Sequence, residues 1–175
     1  MNEPHNPYQA PGANVEDRSQ LDDGPLRIGG WLYLLGLGLI IRTVLLPVSI
    51  WGLFGPYLMQ PESWGQIELL PNAAGLRALI IIEVVVNALM WGLTVWSTIL
   101  FVQRKTRFKR IFLLLLLVSF LFYTADHFIA GALLPAELLE DQGESVKLIW
   151  QSLIYGLIWG NYVLRSERVE RTFVE

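Results

Sequence analysis

Four ionisable side chains sit inside long apolar runs of this sequence: Arg42, Glu83, Asp126 and His127. A charge near mid-bilayer costs about 2.5–3.5 kcal/mol on insertion scales, so such groups turn toward protein and find partners. Asn87 follows Glu83 by one helical turn, which completes a candidate intramembrane polar cluster of Arg42, Glu83, Asn87, Asp126 and His127. Three chemistries are open to it. It can be an ion-pair network that fixes helix register. It can be a proton or ion relay, or a small substrate site. It can hold a metal on Glu83, Asp126 and His127. The metal fits poorly, because neighbouring residues on a helix point about 100° apart and one histidine is usable. No metal or other cofactor is therefore expected.

Helix rise sets the depths. Arg42 is near the middle of its run, whereas Glu83 and Asp126 lie roughly 10 Å and 12 Å from the outer ends of theirs at about 1.5 Å per residue. Glu83, Asn87, Thr94 and Thr98 share one helical stripe, and Ser119, Tyr123, Asp126, His127 and Ala130 share another. Gln151 and Tyr155 are a turn apart on a third. These stripes are expected to face inward, with Arg42 reaching along its long side chain to pair with Glu83, Asp126 or both.

A membrane helix needs about 20 mostly apolar residues. Four runs qualify, at about 29–53, 76–102, 111–134 and 146–164. The expected fold is all-α, an integral membrane four-helix bundle over residues 27–165. Pro47 removes a backbone donor and should kink the first span. Asn72 and Ser145 are candidate caps for the second and fourth. Pro61-Glu62-Ser63-Trp64 reads as the start of a short helix in the longest loop, with Trp64, Ile67 and Leu70 on one face. Gly156 and Gly160 form a G-x-x-x-G that permits close helix approach, within the chain or to another membrane protein or a second copy.

Lysine and arginine give the orientation. Gln103 to Arg110 carries Arg104, Lys105, Arg107, Lys109 and Arg110 without an acid, and the C-terminal stretch carries Arg165, Arg168 and Arg171. Phe54 to Gly75 has no Lys or Arg, and Pro135 to Ser145 has only acids. Both termini are expected in the cytoplasm, with residues 1–26 a disordered tail and 166–175 a second tail. Trp31, Tyr33, Trp51, Tyr57, Trp96, Trp150 and Tyr162 fall at the span ends as interfacial aromatics do.

Composition agrees with lipid as solvent. Of 175 residues, 53 % are hydrophobic and 17 % charged, against about 25 % charged in ordinary soluble domains. The net charge of −3 gives no nucleic-acid footprint. No cysteine is present, which excludes disulfides, thiolate metal sites and cysteine nucleophiles. The polar, acidic start is not a signal peptide. There is no P-loop, H-E-x-x-H or G-x-S-x-G, so an enzyme is not expected.

Ile28-Gly29-Gly30-Trp31-Leu32 followed by Gly38-Leu39-Ile40-Ile41, the acid in span two with Asn87 a turn later, the basic loop and Asp126 in span three together resemble domain-of-unknown-function family 2569. The similarity covers about Arg27 to Phe173. In that family the Gly-Leu-Ile-Ile run is often followed by Ser-Pro, where this chain carries Arg42-Thr43. The resemblance implies four spans in a bacterial inner membrane and implies no activity. The leading expectation is a multi-pass, non-enzymatic accessory or scaffold subunit in the lipid bilayer. The alternative is a proton- or ion-coupled carrier or channel component built on the Arg, Glu and Asp cluster.

Overall fold

The computed structural model describes residues 26–133 and 142–174. The expected N-terminal tail, apart from Leu26, and most of the acidic loop before span four lie outside them. Among the described residues every regular element is helical: α1 (Trp31–Met59), α2 (Pro61–Glu68), α3 (Ala73–Val102), α4 (Phe108–Leu133), α5 (Gln142–Arg165) and α6 (Glu167–Thr172).

Three of the described helices, α1, α3 and α4, are long and apolar enough to cross a membrane. Their outward faces carry large apolar side chains with nothing of the protein over them; Leu89 is 67 % exposed and Phe128 70 %. In water such faces would be uncovered, and in lipid they are solvated. The helix α5 matches the fourth expected run and has 24 residues. Glu144, Lys147, Gln151 and Asn161 dilute its apolar content.

The first helix continues through Pro47 and Pro56. Proline at 47 has no N–H for the carbonyl of Thr43, four residues back. The indole Nε1 of Trp91 on α3 donates to that carbonyl instead, at 3.0 Å. A hydroxyl contact of 3.1 Å between Thr43 Oγ1 and Thr98 Oγ1 holds the same helix pair. The missing donor is thereby replaced from a neighbour, as an apolar medium requires.

The helices pack in the order α1, α3, α4, α5, and the ring stays open between α5 and α1. The short α2 forms as expected, with Ile67 buried and Trp64 Nε1 donating to the Tyr57 carbonyl at 2.6 Å. Arg77 of α3 pairs with Glu68 of α2. Two expected caps differ. Asn72 precedes α3 in a left-handed conformation without a side-chain capping bond. Ser145 lies inside α5, which starts three residues earlier.

The tightest packing is at the basic end. Leu32, Leu35 and Leu39 of α1 meet Leu100 and Phe101 of α3, Phe108, Phe112 and Leu115 of α4, and Val163 of α5. A Cβ on Gly36 would collide with the Phe101 ring, so only glycine lets α1 and α3 close there. The connection from α3 to α4 ends with Arg104 at φ 54. Arg104 N–H bonds the Phe101 carbonyl at 3.1 Å and Lys105 N–H the Leu100 carbonyl at 3.0 Å, a Schellman ending.

The C-terminal stretch folds back under the bundle. Ser166 caps α6 by accepting from the Val169 N–H. Val169, Thr172 and Phe173 are buried, and the Phe173 ring stacks on Phe108 with centroids 4.5 Å apart. Lys109 of α4 pairs with Glu170 at 3.7 Å.

Candidate functional site

The packing order puts the polar side chains in two layers. The first is centred on Ser119, which is 3 % exposed. Its hydroxyl donates to the Leu115 carbonyl of its own helix at 2.7 Å, as serine in an apolar helix does to satisfy itself. That leaves its oxygen free to accept, and Arg42 Nη2 donates to it at 2.9 Å. Met90 Sδ of α3 lies 3.9 Å from the same hydroxyl. Arg42, Ser119 and Met90 therefore define one level of the bundle.

The second layer lies toward the opposite end from the basic loop. Glu83 of α3 and Asp126 of α4 bring their carboxyls near each other. Asp126 Oδ1 is buried and has no hydrogen-bond partner among the described residues. Glu83 is seven residues from Met90, and Asp126 is seven from Ser119. The two layers are thus separated by about 10 Å along the helices at 1.5 Å per residue.

That separation corrects the expected ion pair. Arg42 is paired with neither acid; its guanidinium bonds Ser119 two turns below Asp126. The arginine chain leaves α1 toward the open side of the ring, so it meets α4 at the serine. The remaining cluster members are local. Asn87 Nδ2 donates to the Glu83 carbonyl at 2.9 Å. His127 Nδ1 shares a 2.8 Å hydrogen bond with Ser145 Oγ of α5, so it ties α4 to α5 and is not part of the acid pair. Among the described residues no group of His, Asp and Glu could hold a metal ion.

The open seam between α5 and α1 is a cleft of about 570 Å³ with α4 as its floor. Gly38 and Arg42 line one wall, Ser119 and Tyr123 the floor, and Gln151 and Tyr155 the other wall. A Cβ on Gly38 would stand 3.5 Å from the Tyr155 hydroxyl, so that tyrosine reaches across the seam to α1. Further along α5, Gly160 packs against Leu116 and Leu113 of α4, whereas Gly156 has open space above it. The G-x-x-x-G thus serves helix packing within the chain at one of its two glycines.

The described fold also accounts for the opening motif. Gly30 sits at φ 58, ψ −133, a conformation open to glycine and strained for other residues. A Cβ on Gly29 would run into the Arg168 guanidinium of α6. A family model for proteins of unknown function matches residues 25–174. The chain belongs to that family, DUF2569. No curated protein and no solved structure matches the chain. The DUF2569 match runs from just before the glycine pair to just past the Phe173 stack, so it takes in the glycine pair, α6 and every residue of the two polar layers.

Three participants were not singled out from sequence. Ser119 was placed on the inward stripe without a role, and a small hydroxyl opposite an intramembrane arginine is the available signal. Tyr155 was noted only as a polar residue on its helix; the seam that it crosses is a tertiary property. Trp91 answers Pro47, and the signal there was the proline's orphaned carbonyl.

Proposed function

We propose that this DUF2569 protein is a four-span bacterial inner-membrane protein that acts as a proton- or ion-coupled carrier or channel component. The observation that carries this is the mutual placement of Glu83 and Asp126 away from Arg42. A network built only to hold helices would neutralise the arginine with an acid inside the chain. Here the acids are neighbours across α3 and α4, and adjacent carboxyls inside a membrane are the arrangement that proton relays use. The cation stands in an open cleft. A proton-holding pair and an anion-attracting group at different depths are the parts that coupled movement needs.

The fourth span is supported by the way α5 follows α4. Ser145 and His127 join the two helices near one end, and Gly160 lies on Leu113 and Leu116 near the other. These contacts support α5 lying in the bilayer beside α4. Clustered Lys and Arg in the α3–α4 connection and in the C-terminal stretch favour a cytoplasmic location for that end and for both termini. The reading is non-enzymatic: the site binds and relays, and no bond is broken.

The chain has no cysteine, so single cysteines report topology cleanly. E62C and E144C should label from outside intact cells, and Q103C should not. For activity, the purified chain in liposomes should move protons, alone or together with an organic anion, across the membrane. Glu83→Gln and Asp126→Asn should abolish that flux while detergent-solubilised protein stays monodisperse. Wild-type liposomes as tight as empty ones, or flux untouched by both changes, would sink the proposal. An accessory subunit would instead be silent alone and regain activity only with a co-purified partner.

A further inference from the structure

The cleft between α1 and α5 has a composition that specifies a ligand class. We infer that it binds a single-chain amphiphilic monoanion, a long-chain carboxylate, admitted sideways from the bilayer. The inference rests on the carrier reading above and names its cargo.

The head site is Arg42. Of five guanidinium N–H donors, one goes to Ser119 at 2.9 Å, and the rest have no hydrogen-bond partner among the described residues. Ser119 fixes one edge of the guanidinium, so the remaining donors are held in place rather than loose. A planar fork of donors matches a carboxylate with two parallel bonds. Tyr155 and Gln151 line the same cleft, and the Tyr155 hydroxyl lies within electrostatic reach of Arg42. Both can donate to the same head. The acids that would compete for Arg42, Glu83 and Asp126, are two turns away along the helices.

The tail site is the rest of the cleft. Leu116, Leu148, Ile154 and Ile158 supply apolar walls. The volume of about 570 Å³ falls inside the range of roughly 300–1,000 Å³ for small-molecule sites. Depth decides against a diacyl lipid. Arg42 lies eleven residues past Trp31, about 16 Å from the end of α1 at 1.5 Å per residue. That is mid-membrane for a hydrocarbon core of about 30 Å. A diacyl lipid would have to bring a charged headgroup and its glycerol to that level, whereas a single-chain acid enters the hydrocarbon as the neutral protonated form and ionises beside the arginine. A small hydrophilic anion would leave the apolar walls without a partner and would have no path through the lipid-facing seam.

The test is equilibrium binding to the full chain in a neutral detergent, read by displacement of a fluorescent fatty acid and by native mass spectrometry. Palmitate should bind. Acetate, which has the head alone, hexadecanol, which has the tail alone, and dipalmitoyl phosphatidic acid should each be at least about tenfold weaker. Arg42→Gln should weaken palmitate by about tenfold or more, as expected for losing charge-assisted hydrogen bonds. Arg42→Lys keeps the charge but loses the fork and should fall between. Ile158→Trp fills the tail channel and should weaken palmitate while the protein's unfolding temperature is held; this variant serves if Arg42→Gln does not fold. Equal binding of hexadecanol, or wild-type palmitate affinity in both Arg42→Gln and Ile158→Trp, overturns the inference. Stronger binding of phosphatidic acid overturns it in favour of a membrane-lipid site. Failure of palmitate to bind, with proton flux intact in liposomes, removes the cargo and leaves the carrier reading standing.

Discussion

Arg42 donates to Ser119 Oγ at 2.9 Å, and that serine stands two helical turns from Asp126. The two residues form a unit that the acid layer does not share. Ser119→Ala should destabilise the protein in detergent by about 1.5–3 kcal/mol, the usual worth of a hydrogen bond to a charged group. In a double-mutant cycle on thermal unfolding, Ser119→Ala and Arg42→Gln should be clearly less than additive. Arg42→Gln and Asp126→Asn should add, because sites about 10 Å apart without shared partners are independent. Strong coupling between Arg42 and Asp126 would show that the ion pair expected from sequence forms after all.

The acid layer predicts the opposite pattern. Glu83 and Asp126 are in contact, so their changes should couple. Glu83→Gln supplies an amide donor to Asp126 and keeps the pair bonded, so folding should be held. Glu83→Leu leaves half-buried Asp126 without its neighbour and should cost about 1–3 kcal/mol, the penalty of a polar group left unsatisfied. Thermal unfolding of the two variants side by side decides it. Equal stability of Glu83→Gln and Glu83→Leu would mean that the pair has no bond to lose.

What was legible in sequence follows from what the bilayer enforces. The helices α1, α3 and α4 cover the expected runs at 29–53, 76–102 and 111–134 within a few residues, except that α1 continues to Met59. Length and hydropathy dictate these, because lipid admits few backbone solutions. Intramembrane charges were visible for the same reason. Their pairing was not. Helical spacing placed Glu83 and Asp126 on inward stripes for Arg42 to reach, but the packing order of the helices decides which stripe meets which. The open seam sends Arg42 to Ser119 and leaves the acids to each other. His127 was drawn away likewise, by a serine on α5 that had been expected as a cap. The folded-back α6 was illegible because its anchor, Phe173, is a single aromatic in a charged stretch, and its binding site needs the Phe101 ring from α3 and the Phe108 ring from α4.

Trp91 and Pro47 give a second separable test. Trp91→Phe keeps the ring and removes the donor to the Thr43 carbonyl. The loss should be about 1–3 kcal/mol, the penalty of an acceptor left unsatisfied where lipid, not water, surrounds the helix pair. Pro47→Ala restores a backbone N–H four residues after Thr43, so the helix can satisfy its own carbonyl. On the Pro47→Ala background, Trp91→Phe should cost much less. An unchanged cost on both backgrounds would mean that the indole acts by packing alone.

The glycine pair at the start of α1 can be dissected by the same logic. Gly30 at φ 58 and ψ −133 tolerates no Cβ without strain, so Gly30→Ala should destabilise by about 1–3 kcal/mol, and no change elsewhere should rescue it. Gly29 is different, because its constraint comes from the Arg168 guanidinium and not from its backbone. Gly29→Ala should lower the unfolding temperature only by displacing the Arg168 guanidinium, the mobile end of its side chain, while the α6 segment stays anchored by the 2.9 Å bond from the Leu26 N–H to the Arg171 carbonyl. Arg168→Ala should relieve most of that loss when combined with Gly29→Ala. If Arg168→Ala rescued neither glycine change, the seat between the two ends of the chain would have no energetic reality, and burial of Phe173 alone would have to hold α6 in place.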